Sequence, residues 1–173
     1  VLALGAWRRP RAAAGFGVGG AVAGAVLALV PVISVLRGAA AMEYRHAWAV
    51  PGASFHVQLD ALSAWFAVPV LVLGALAAVY GVGYMAAYGR RRSLGPPWFA
   101  YNGLLASLLL VVLARNAVLF LVAWEAMSLA AWLLVTFEHE QPEVRRAGWV
   151  YLIAAHVGTA SLVALVLLFG RAP

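Results

Sequence analysis

Long apolar runs alternate with short polar or arginine-bearing segments along the whole chain. About 20 apolar residues cross a hydrocarbon core about 30 Å thick. Five runs reach or approach that length: residues 12–36, 61–88, 98–114, 117–137 and 147–169. The predicted architecture is all-α and membrane-integral, with five transmembrane helices. Residues 1–11 read as the stub of an earlier helix with a basic loop, 89–97 as a basic loop and 138–146 as a polar loop. Residues 37–60 break the pattern. EYRHAWAV and SFHVQL alternate apolar with polar residues around Pro51-Gly52, the pattern of a β-hairpin lying on the outer surface.

Composition excludes a water-soluble domain. The chain is 65% hydrophobic and 10% charged, against roughly 25% charged for soluble domains. Its net charge of +6 does not indicate nucleic acid, because the charge is gathered in short arginine clusters between apolar runs. Such clusters mark cytoplasmic loops. Arg8, Arg9, Arg11, Arg90, Arg91, Arg92, Arg145 and Arg146 fall on one side, and Arg37, Arg45, Arg115 and Arg171 on the other. The first side is predicted to be cytoplasmic and the hairpin extracytoplasmic. Cysteine is absent, so no thiolate-ligated iron–sulfur or nickel–iron centre is expected, nor any other metal or cofactor. Lysine is absent too. The chain begins without methionine and stops directly after an apolar run, so it reads as an incomplete piece.

Several residues have plain structural readings. Asp60 precedes the second helix and is a candidate N-cap. Gly15, Gly19, Gly20 and Gly24 form two GxxxG spacings that predict close packing of the first helix. Trp65, Trp98 and Trp149 fall near helix ends, as interfacial anchors do. His46 and His56 read as solvated strand residues, and Glu138, His139, Glu140 and Glu143 as a solvated loop. Pro142, near the start of the fifth helix, forgoes an N–H that has no helical partner there.

Two ionisable residues stand inside the spans. Glu125 lies in FLVAWEAMSLAAW and His156 in YLIAAHVGTAS. Each costs about 2.5–3.5 kcal/mol to insert, on the scale for charged side chains, so a functional role is the default. Glu125 lies roughly 12 Å from the outer end of its run and His156 roughly 14 Å from the inner end of the next. In antiparallel neighbours those levels differ by about 4 Å. A carboxylate and an imidazole at one depth can exchange a proton, directly or through water. Ser128, Thr159 and Ser161 are candidates for helix packing and hydrogen bonding, either between helices or to His156.

LDALSAWF, the arginine-rich loop after it, LLLVVLARNAVLFLVAWEAMSLAAWLLVTFE and AGWVYLIAAHVGTASL together resemble the antiporter-like membrane subunits. These include the largest proton-pumping subunits of respiratory complex I, the Mrp cation/proton antiporters and the membrane subunits of energy-converting hydrogenases. The HVGT stretch is most similar to component B of hydrogenase 4 and its formate hydrogenlyase counterpart. The resemblance implies about fourteen helices with two inverted repeats of five, each carrying a helix broken at the midplane. It makes Glu125 the family's glutamate that pairs with a lysine two helices later, beyond Pro173 here. His156 falls on a position that varies among subfamilies. The implied function is proton translocation in a redox-driven complex of the hydrogenase 4 or NADH:quinone oxidoreductase type. The chain would not be catalytic by itself, and would have other membrane subunits as partners and the inner (plasma) membrane as its location. The alternatives are a cation/proton antiporter subunit and a structural scaffold without transport.

Overall fold

The computed structural model describes residues 10–50, 53–89 and 92–170, with the backbone alone for Pro10 and Arg11. Outside the described residues lie most of the expected N-terminal stub, the Pro51-Gly52 turn, and Arg8, Arg9, Arg90, Arg91 and Arg171. The elements are α1 (Pro10–Leu36), β1 (Met42–Ala47), β2 (Ser54–Leu59), α2 (Ala61–Ala86), α3 (Gly95–Leu113), α4 (Ala117–Val135) and α5 (Pro142–Phe169). All five helices are long and apolar enough to cross a membrane.

The helix ends depart from the hydropathy boundaries for backbone reasons. α3 begins at Gly95 rather than residue 98, because Pro96 and Pro97 sit in the first turn, where a missing N–H costs nothing. α5 begins at Pro142 rather than residue 147. Its first turn and a half, including Glu143, Arg145 and Arg146, is helical but polar. Glu143 is therefore a helix residue, not a loop residue. α2 and α4 stop two residues short of their apolar runs, at Ala86 and Val135. α1 ends on Gly38, whose φ of +99° suits only glycine comfortably. Gly38 N–H donates to Val35 O at 3.0 Å and Ala39 N–H to Ser34 O at 3.1 Å, so the last carbonyls are satisfied by a left-handed cap.

Helices meet through small residues, since lipid removes the hydrophobic drive between apolar surfaces and leaves close packing to hold them. Ala25, Val32 and Val35 of α1 pack with Ala64, Ala67 and Leu71 of α2. Ala13, Ala21, Ala78, Leu94 and Trp98 form a second cluster towards the arginine-rich end. Trp98 is 4% exposed there, so it is a core residue and not an interfacial anchor. Gly17 and Gly81 make room for its ring: a Cβ on Gly17 would lie 2.6 Å from it, and one on Gly81 3.1 Å. The GxxxG expectation needs a matching correction. Gly15, Gly19 and Gly24 have nothing within 4 Å of an added Cβ, while Gly17 and Gly20 face Trp98 and Asn102. Asn102 Nδ2 donates to Gly17 O at 3.0 Å, joining α3 to α1.

The hairpin is antiparallel, with Met42 opposite Leu59 and Ala47 opposite Ser54. β2 lies on the helices and β1 outside it. Arg115 N–H donates to His56 O at 2.9 Å, and Val57 bridges to Ala114, which fixes the hairpin to the α3–α4 turn. His46 is exposed. His56 is not simply solvated: its Nε2 lies 2.8 Å from Glu43 Oε1.

Candidate functional site

The site is built on α4 and α5, antiparallel neighbours joined by a short turn. Asn116 starts α4 by accepting from Val118 N–H at 3.0 Å and Leu119 N–H at 3.2 Å. This sets the register that carries Glu125 inward. The close approach of α5 depends on Gly148, where an added Cβ would lie 2.3 Å from Thr136 Cγ2. From that contact the two helices bring Glu125 and His156 together, Oε2 to Nε2, at 3.9 Å. The two groups therefore share one level of the bundle. The Glu125 side chain is 33% exposed and that of His156 is 55% exposed. Among the described residues, Gly148 is the only one that α5 buries, so His156 lies beside Glu125 on an open flank rather than inside the five helices.

The other ring nitrogen of His156 is committed. Nδ1 lies 2.8 Å from Leu152 O. A carbonyl oxygen only accepts, so Nδ1 carries the proton and the neutral ring turns a bare Nε2 towards the carboxyl group. Glu125 and His156 can then hold one proton between them in two ways: on the carboxyl with Nε2 bare, or on Nε2 facing a carboxylate. The gap of 3.9 Å exceeds a hydrogen bond. A small side-chain rotation or one bridging water spans it.

The remaining expected residues divide. Ser128, one turn along α4 from Glu125, is 4% exposed and packs in the interior. Thr159 Oγ1 donates to Ala155 O at 3.2 Å and Ser161 Oγ to Val157 O at 3.0 Å. Both bonds fall within their own helix, and neither reaches a neighbouring helix or His156. Asp60 caps α2 through Ser63 N–H at 2.8 Å.

Two clusters escaped the sequence reading. At the hairpin end, Asp60 pairs with Arg115 while Ser63 Oγ donates to Val112 O at 3.0 Å, binding α2 to the end of α3. The Asp60 carboxyl is held below its ordinary value, chiefly by the Ser63 backbone N–H and further by Arg115. At the opposite end, Arg92 pairs with Glu140, donates to Phe137 O at 2.6 Å and stacks over the Phe137 ring at 5.4 Å. The loop holding Glu140 is thereby tied to the segment just before α3 and not simply solvated. Each cluster depends on long-range pairing of charges that no local sequence pattern links.

Residues 48–92 match the family model described as NADH-ubiquinone oxidoreductase (complex I), chain 5 N-terminus. NADH-quinone oxidoreductase subunit L of Mycobacterium tuberculosis is 39% identical over 109 residues, covering 62% of this chain and 17% of that protein. Hydrogenase-4 component B of Escherichia coli is 27% identical over 148 residues, covering 86% and 22%. The chain is similar to antiporter-like membrane subunits over most of its length. It is a multi-pass membrane protein, and it spans about a fifth of the length of the curated relatives it matches. The fold agrees: a chain in the structure of the Mrp complex from Dietzia sp. DQ12-45-1b superposes over 98% of this chain and 19% of its own length, with a TM-score of 0.69 at 23% identity. Among the described residues of this antiporter-like chain, no group of three His, Cys, Asp or Glu is placed to hold a metal ion.

Proposed function

We propose that this chain forms part of a proton-translocating membrane subunit of a redox-driven complex, of the hydrogenase 4 or NADH:quinone oxidoreductase type. It would sit in the inner membrane beside other membrane subunits. The observation that carries the reading is the approach of Glu125 to His156, with Nδ1 of the ring already committed to Leu152 O. A structural carboxyl needs only a donor. A transferring carboxyl needs a partner that can take the proton and return it, and a bare Nε2 is such a partner.

Glu125 is the proton-carrying group in this account, and His156 holds the proton when Glu125 is charged. Electrons run in other subunits, since the chain has no cysteine to ligate a cluster. The test is Glu125→Gln in the full-length subunit, read as proton uptake into vesicles, with assembly followed on a native gel. Glutamine keeps the size and can still bond a neighbour, but cannot change charge. Loss of uptake with normal assembly supports transport. Normal uptake would instead favour the scaffold reading.

A further inference from the structure

The arginine-rich end of the bundle carries a groove of about 720 Å³ between the start of α3, the end of α4 and the start of α5. Its character changes along its length. The outer end is polar, with Arg145 and His139 on its rim. The walls towards the membrane are Phe99, Trp132, Leu133 and Trp149. Phe99 is 43% exposed, Leu133 48% and Trp149 64%, so the walls open sideways rather than into the bundle. Thr136 is part of the lining, and its close approach to Gly148 draws α5 onto α4 beside the cleft.

The charge at the rim is not used up. Arg92 and Glu140 offset each other. Arg145 spends Nη1 on the carbonyls of His139 and Glu140, each at 2.9 Å. Its remaining N–H groups have no partner among the described residues. Trp149 lies one helical turn from Arg145 on the same face of α5. A cation at the headgroup level with an indole one turn deeper is an arrangement that suits the membrane interface.

We propose that this groove binds one anionic phospholipid, its phosphate against the free donors of Arg145 and an acyl chain along Phe99, Leu133 and Trp149. Charge complementarity selects this occupant. A basic pocket between transmembrane helices attracts acidic headgroups. A protein helix laid in the same groove would have to bring its own carboxylate to the level of Arg145. The lipid contact is separate from the Glu125–His156 pair and stands whether or not that pair moves protons.

The experiment uses the full-length protein in phosphatidylcholine nanodiscs doped with phosphatidylglycerol that carries a photoactivatable group on its acyl chain. Crosslinked peptides are mapped by mass spectrometry. Labelling is expected on the peptides holding Phe99, Leu133 or Trp149, and Arg145→Gln should lower it about fivefold, the factor one arginine at the surface contributes. A phosphatidylcholine probe should label wild type only at that lowered level. Leu133→Trp narrows the groove without altering charge and should also reduce labelling. Equal labelling by the two probes, no response to Arg145→Gln, or an absence of label because another helix or subunit covers the groove would each overturn the proposal.

Discussion

Replacing Gly148 with alanine puts a methyl carbon where the structure has no room. The new Cβ would lie 2.3 Å from Thr136 Cγ2, against the 3.4 Å at which ordinary contact begins, a shortfall of 1.1 Å. Thr136 cannot turn its methyl away freely, because its Oγ1 donates to Trp132 O at 2.8 Å and rotation would break that bond. The helices must therefore part, and overpacking of this kind costs about 1–3 kcal/mol. His156 lies eight residues further along α5, roughly 12 Å from the contact. A separation near 1 Å there would widen the Glu125–His156 gap, now 3.9 Å, to about 4.9 Å, too far for direct transfer after a small rotation and bridged only through a water. Thr136→Ser removes the offending methyl and keeps the hydroxyl. The double variant should recover most of the loss, a coupling of about 0.5–3 kcal/mol between contacting residues. The assay is heat stability of the full-length subunit by fluorescence-detected size exclusion, with Gly148→Ala, Thr136→Ser and the pair measured together. Wild-type stability of Gly148→Ala, or a double variant no better than Gly148→Ala, would refute the idea that this contact sets the helix spacing.

Gly17→Ala should lower heat stability by about 1–3 kcal/mol through its clash with Trp98, while Gly15→Ala, with open space around it, should be tolerated. The Asp60 carboxyl lies below its ordinary value, so its contribution is full above the unfolded-state value and fades as pH falls through the lowered one. Protection of the hairpin from a protease added on that side should therefore drop in acid, and Asp60→Ala should remove this part of the pH dependence. Cysteine is absent from the chain, so single cysteines report topology cleanly: one at His46 should react with an impermeant reagent outside the cell, and one at His139 should not.

The five spans and the hairpin were legible because hydropathy and two-residue alternation are properties of short windows. The shared level of Glu125 and His156 followed from counting residues along two antiparallel runs, since rise per residue is nearly constant. Helix ends were less legible. Pro142 to Arg146 is helical but polar, and a search for apolar residues stops short of it. The packing role of each glycine is hidden for a related reason. Spacing shows that Gly15 and Gly19 share a face, but only the neighbour's position shows that Gly17, on another face, meets Trp98. Thr159 and Ser161 have carbonyls of their own helix within reach, and that local bond competes with any longer one. The pairs Asp60–Arg115 and Arg92–Glu140 join residues 55 and 48 positions apart, beyond any local pattern.

The central claim is that Glu125 and His156 act as one proton-holding unit, and a double-mutant cycle on proton translocation tests it most directly. Glu125→Gln, His156→Gln and the double variant are compared with wild type in the full-length subunit, assembled and reconstituted in vesicles. Groups that hold a single proton between them give strongly non-additive losses. The account predicts that Glu125→Gln and the double variant fall to the same low rate. Losses that multiply as independent effects, or normal translocation by Glu125→Gln, would contradict it.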